Sequence, residues 1–159
     1  MEHLQEKILF LKSEYIPALA TLAPDATRLW GKMNMQQMVE HMADYMRIAN
    51  GKTILPIAVD EVMLPRMQAF LATEKPMREN TPNSLLPDEP PALKHDSLAA
   101  ATAELEQEVK DFFAAFEQDP ALQLVHPFFG LLGYELQVQL LYKHCTHHLR
   151  QFGVTIAAF

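Results

Sequence analysis

Three of the chain's seven histidines fall within five residues, in the run His144-Cys145-Thr146-His147-His148. In a helix each residue turns by about 100°, so positions four apart share a face. His144 and His148 are such a pair, and two imidazoles on one face can share a metal ion. On a wheel that takes Val138 as zero, Leu141, Cys145, Leu149 and Phe152 centre at about 330°, with His148 at about 280°, His144 at about 240° and His147 at about 180°. The pair therefore lies along one edge of the apolar stripe. His147 points away, and Cys145 turns into the core, about 100° from His144. A third imidazole is offered by His41. On a wheel set at Met35, the apolar residues around it centre at about 330° and His41 falls at about 240°, the same edge position. If the two helices are neighbours, His41, His144 and His148 converge on one point.

A neutral imidazole is a strong ligand for Zn, Ni, Cu or Fe, with metal–nitrogen bonds of about 2.0–2.1 Å. Three protein ligands leave a position open for water or substrate, whereas structural zinc sites usually take four. A metal held this way can lower the pKa of a water towards about 7, or hold a thiolate. The Glu of an HExxH motif is missing, which disfavours a metalloprotease. An i,i+4 His pair on its own more often marks hydrogen-bonded, partly buried rings than a metal site. The matching edge position of His41 is what gives the metal reading its weight.

Further residues gather around the same edges. Gln151 falls at about 220° beside His144, as a hydrogen-bond partner for a ligand ring or as a solvated amide. Tyr45, one turn from His41, lines the cleft or, the stronger reading, packs in the core. His126 reaches the site from a loop or serves that loop structurally. Glu40 turns about 100° from His41 and reads as a surface residue. His3 and His95 are given no role by the sequence. Five of the nine Met lie between positions 33 and 46. They suit core filling first and an adaptable apolar pocket second.

These residues need helices to carry them. Leu4, Ile8, Leu11, Tyr15, Leu19 and Leu22 recur at helical spacing, with Pro17 expected to end or kink the helix near Tyr15. Asn34 with Gln37 forms a capping-box pattern ahead of Met35, Met38, Met42, Tyr45, Met46 and Ala49, and Asn50-Gly51 is a stop. A shorter amphipathic segment spans about 60–73, with Pro65 expected to break it near its start. Residues 74–95 hold five of the eleven prolines and read as a crossover strap. Helix three is expected at about 97–117, with Asp96 or Ser97 as cap, and helix four at about 134–152, stopped by Gly153. The segment between them is expected to be a loop. The uncharged tail 154–159 is expected to dock on the bundle or on a partner subunit, which would make a homodimer. No strand pattern is convincing, so the expected fold is all-α, a four-helix bundle with a long crossover between helices two and three.

Composition agrees with one soluble domain, residues 1–159. The single Cys excludes a disulfide framework and a Cys-rich zinc module, so any metal would be held by nitrogen. No phosphate-cradling glycine motif is present among the five Gly. A net charge of −7 with no basic stripe disfavours nucleic acid and anionic membranes as partners. No apolar run approaches the roughly 20 residues of a membrane helix. The polar start, Met1 to Lys7, is unlike a signal peptide, and a cytoplasmic protein is expected.

The stretch from Trp30 to His41 resembles the segment leading into the second helix of DinB/YfiT-like proteins. Lys143 to Gly153 resembles their fourth-helix signature, a His-x-x-His-His run followed by Gln, and His126-Pro127-Phe128-Phe129-Gly130 is similar to one branch of that superfamily. The resemblance implies a four-helix bundle with one divalent metal on His41, His144 and His148. It also implies chemistry of the thiol-transfer or isomerisation type, using a low-molecular-weight thiol. Leu149-Arg150-Gln151 departs from the Arg-Gly-Gln of the thiol-transferase branches, and Gln137 stands where the nearest branch has Trp, which leaves the substrate class open. The expected function is a metal-dependent hydrolase or thiol transferase with Zn or Ni, acting on a small molecule. The alternatives are a non-catalytic metal- or small-molecule-binding bundle and an inert interaction bundle.

Overall fold

The computed structural model describes residues 2–81, 87 and 89–156, and the last three residues of the expected docking tail lie outside them. The chain is mostly helical with one small antiparallel sheet. Helix α1 (Leu4–Leu9) passes through a π-helical turn (Phe10–Glu14) into α2 (Tyr15–Ala20). The helix expected to end or kink near Tyr15 does not end there: the backbone stays helical at Glu14 and Tyr15 and continues through Pro17 to Ala20, with the π-helical turn directly ahead of the proline. Phe10, Leu11, Tyr15 and Leu19 are buried on the inner face.

Helix α3 (Met35–Ala49) begins at the capping box. The Asn34 side-chain Oδ1 accepts from the Gln37 N–H, and the Gln37 side-chain Oε1 accepts from the Asn34 N–H, both at 2.9 Å. Its buried face is Met35, Met38, Val39, Met42, Ala43, Met46 and Ala49. Core filling is thus one account of the methionine cluster. Helix α4 (Leu64–Leu71) follows a short 3-10 turn at Glu61–Met63, and Pro65 starts the helix rather than breaking it. Helix α5 (Leu98–Gln118) is capped by Ser97 and packs Ala101, Leu105, Val109, Phe112, Phe113 and Phe116 inward.

The expected loop between the last two helices contains a hairpin, β1 (Leu124–His126) and β2 (Gly130–Leu132), in register Leu124–Leu132, Val125–Leu131 and His126–Gly130. This corrects the all-α expectation. Three-residue strands are too short to show a period of two in the sequence. Inward His126 and Leu132 with outward Val125 and Leu131 form the only alternation available. Helix α6 (Tyr134–Gln151) ends in a Schellman motif. The Val154 N–H donates to the Leu149 carbonyl at 2.9 Å and the Gly153 N–H to the Arg150 carbonyl at 3.0 Å, with Gly153 left-handed.

Two apolar clusters result. The larger joins α1, α2, α3, α5 and α6, and takes in Val154 and Ile156 of the tail. The smaller lies between α4, the hairpin and α6, around Leu71, Phe129, Leu132 and Leu140.

The described parts of the crossover are tied to both helices that carry the histidines. Its first stretch lies along α6, where donors meet successive carbonyls. Gln139 donates to Thr73 at 2.9 Å, Lys143 to Lys75 at 2.8 Å and Arg150 to Met77 at 3.2 Å. Its last stretch lies on α3. The Glu40 carboxylate accepts the Lys94 and His95 N–H groups at 2.9 and 3.1 Å, and Gln37 donates to the Pro91 carbonyl. Glu40 is therefore a buried anchor of the crossover rather than a surface residue. His95 also has a partner, Glu104 on α5, at 2.6 Å. No helix of the described residues is long and apolar enough to cross a membrane.

Candidate metal centre

Helices α3 and α6 bring His41, His144 and His148 together. One ring nitrogen of each lies within 4.8 Å of the others, the only such group of potential metal ligands among the described residues. His144 Nε2 is 3.1 Å from His41 Nε2 and 2.9 Å from His148 Nε2. Two metal–nitrogen bonds of about 2.05 Å at a tetrahedral angle would set their nitrogens about 3.3 Å apart. The observed spacing therefore lies close to that of a filled site.

His144 and His148 are buried, and His41 sits at the partly exposed edge. Burial holds all three neutral. It lowers His41 to about 4, and it pushes His144 and His148 well below the usual imidazole range, with the neighbouring rings adding to the effect. Neutral imidazole is the form that ligates a metal.

The hydrogen-bond network also fixes where the proton of His148 resides. Gln151 Nε2 donates to the Trp30 carbonyl at 2.9 Å, which turns Gln151 Oε1 towards His148 Nδ1 at 2.8 Å. An amide oxygen only accepts, so Nδ1 carries the proton. His148 Nε2 is left as a lone pair facing His41 and His144. Gln151 is thus a buried partner of His148 rather than a solvated amide. His144 Nδ1 is buried with no hydrogen-bond partner among the described residues.

Beside the three rings lies a second pair. The Tyr45 ring packs edge-on against His144, with centroids 4.0 Å apart. Its hydroxyl is 2.5 Å from His126 Nε2. His126 Nδ1 accepts the Phe128 N–H at 3.1 Å, so the neutral ring carries its proton on Nε2 and donates it to Tyr45. Burial lowers His126 to about 4 and raises the Tyr45 phenol. His126 is 1% exposed, and the β1 strand places it behind Tyr45 rather than among the three clustered nitrogens. Cys145 is buried in the larger core, where burial raises its thiol. His147 faces Trp30 and the crossover.

Sequence reasoning missed the Leu29–Gly31 loop, whose backbone grips Gln151. The one signal for it was a glycine placed just ahead of the helix cap in a chain with only five. No family model, curated protein or solved structure matches this chain.

Proposed function

We propose that the protein is a metal-dependent enzyme with one divalent ion, Zn or Ni, held by His41, His144 and His148. A small-molecule substrate would be attacked by water or by a low-molecular-weight thiol. In this reading the helices form a four-helix bundle of the DinB-like kind, as the motifs around His41 and His144 suggest. The observation that carries it is the His148 tautomer: Gln151 takes the Nδ1 proton, and the Nε2 lone pair is aimed at two further neutral imidazoles. A bound ion would supply Lewis acidity, lowering the pKa of a water or thiol ligand. The chain's own residues hold the donors neutral, orient His148 through Gln151, and wall the site with the Tyr45–His126 pair.

A non-catalytic metal-binding role has one observation in its favour. The two carboxylates nearest to His41 in sequence are both engaged by the crossover, Glu40 with backbone N–H groups and Asp44 with the Lys94 ammonium. Elemental analysis of tag-free protein, after loading with Zn or Ni, tests the metal. One ion per chain is expected, lost in His144→Ala, and no bound metal in the wild type would end both readings. A screen of thiol consumption and of ester and amide hydrolysis then separates enzyme from binder. Activity that survives His148→Ala would refute the catalytic reading.

A further inference from the structure

We infer that Gly31 is a positioning residue for His148, acting through Gln151; the inference rests on the metal-site reading above. Gly31 has a left-handed φ of +75°, and a Cβ built on it would lie 2.5 Å from Gln151 Nε2. The Gln151 amide occupies the space that any side chain at position 31 would take. Gln151 is held there on three sides. Its Nε2 donates to the Trp30 carbonyl at 2.9 Å, its backbone carbonyl accepts the Leu29 N–H at 2.7 Å, and its Oε1 accepts from His148 Nδ1 at 2.8 Å. The loop is itself pinned, because Arg28 Nε donates to the Gly31 carbonyl at 2.8 Å.

A Cβ at position 31 has one cheap escape, which is to push the flexible Gln151 amide aside. That movement breaks the bond to His148. A neutral His148 without its acceptor is free to carry its proton on Nε2, which covers the lone pair facing His41 and His144. The missing side chain at position 31 therefore selects the tautomer of a ring in another element, without touching that ring.

The experiment must separate collision from backbone strain. Gly153 has a φ of +83° and, among the described residues, nothing within 4 Å of its built Cβ, so Gly153→Ala carries strain without collision. Gly31→Asn carries the Cβ, but Asn tolerates the left-handed region, so it brings collision with little strain. The wild type, Gly31→Ala, Gly31→Asn and Gly153→Ala are compared by two readouts. The first is the imidazole Nδ1–H correlation of His148 in 15N-labelled protein without metal. The second is Zn2+ affinity by calorimetry.

The wild type and Gly153→Ala are expected to keep the Nδ1–H signal and to bind Zn2+ equally. Both Gly31 variants should lose the signal and bind Zn2+ about 10- to 100-fold more weakly, the usual effect of losing a partner of a ligand ring. Retention of the signal and of wild-type affinity by Gly31→Asn would overturn the inference, as would an equal loss of both in Gly153→Ala. If the wild type binds no Zn2+ and the signal still vanishes only in the Gly31 variants, the metal reading fails while the positioning role stands.

Discussion

Lowering the pH of the metal-free protein from 7 to 5 puts the buried imidazoles to a direct test. Burial alone lowers His126 to about 4 in the folded chain, against about 6.5 in an unfolded one. The unfolded chain therefore takes up a proton that the native fold refuses. The sign follows: this contribution to stability is complete above about pH 6.5 and is lost as the pH falls towards about 4. Each such proton costs about 1.4 kcal/mol per pH unit, so His126 should cost about 2 kcal/mol between pH 6.5 and 5. His41, also lowered to about 4 but partly exposed, adds at most the same again. His144 and His148 shift in the same direction. A loss of about 2–4 kcal/mol is large against a total stability of about 5–15 kcal/mol. At about 2–4 °C per kcal/mol for a domain of this size, the Tm should fall by about 4–16 °C. The carboxyls of Glu104 and Asp111 are held below their ordinary range by their partners, so their own losses come below about pH 4.5 and leave this window to the imidazoles. Thermal melts followed by far-UV circular dichroism across the window read the slope, and His126→Gln should flatten it by about one proton. A Tm that does not move between pH 7 and 5 would refute the claim that these rings are folded in the neutral state.

Three further perturbations address separate contacts. Tyr45→Phe leaves the buried His126 Nε2–H without its acceptor and should cost about 1–3 kcal/mol in urea melts, with Zn2+ affinity by calorimetry unchanged. Lys143→Met removes the ammonium that holds the Phe70 and Lys75 carbonyls but keeps an apolar stem in the same space. It should raise amide exchange and tryptic cleavage around residues 70–78 while the global melt moves little, because loss of a buried charge offsets loss of its bonds. Glu40→Ala frees the Lys94 and His95 N–H groups and should cost about 2–3 kcal/mol by denaturant titration. Faster exchange confined to those amides and their neighbours would mark the detached end of the crossover.

The helices that carry the site were legible because their signals are local. The Asn34–Gln37 box, the Ser97 cap and the Gly153 stop each depend on residues a few positions apart, and each appears where expected. The edge position of the three histidines was legible for the same reason, since a wheel needs only the helical repeat. Their convergence was not, because it depends on which helices become neighbours. The wheel placed Gln151 beside the histidines without saying which ring it meets, since it measures angle and ignores reach. A side chain on α6 tilts back towards the start of the helix, and from position 151 that lean carries the amide to His148, three residues earlier. Glu40 was misread because a charge on the outer side of an isolated helix looks solvated. The crossover that buries it arrives from more than fifty residues away.

The row of donors on α6 that grips the start of the crossover has a consequence for how this path is encoded. Gln139, Lys143 and Arg150 hold the carbonyls of Thr73, Lys75 and Met77, a group that every amino acid possesses. The route is therefore written in α6 and only weakly in the segment that follows it. Exposed Lys75 could be exchanged for most residues without rerouting the chain, provided its carbonyl stays in place. The same freedom does not extend to the three donors, each of which specifies a point on the path. Substitution tolerance across the two segments should be correspondingly lopsided, permissive in the guest and strict in the host.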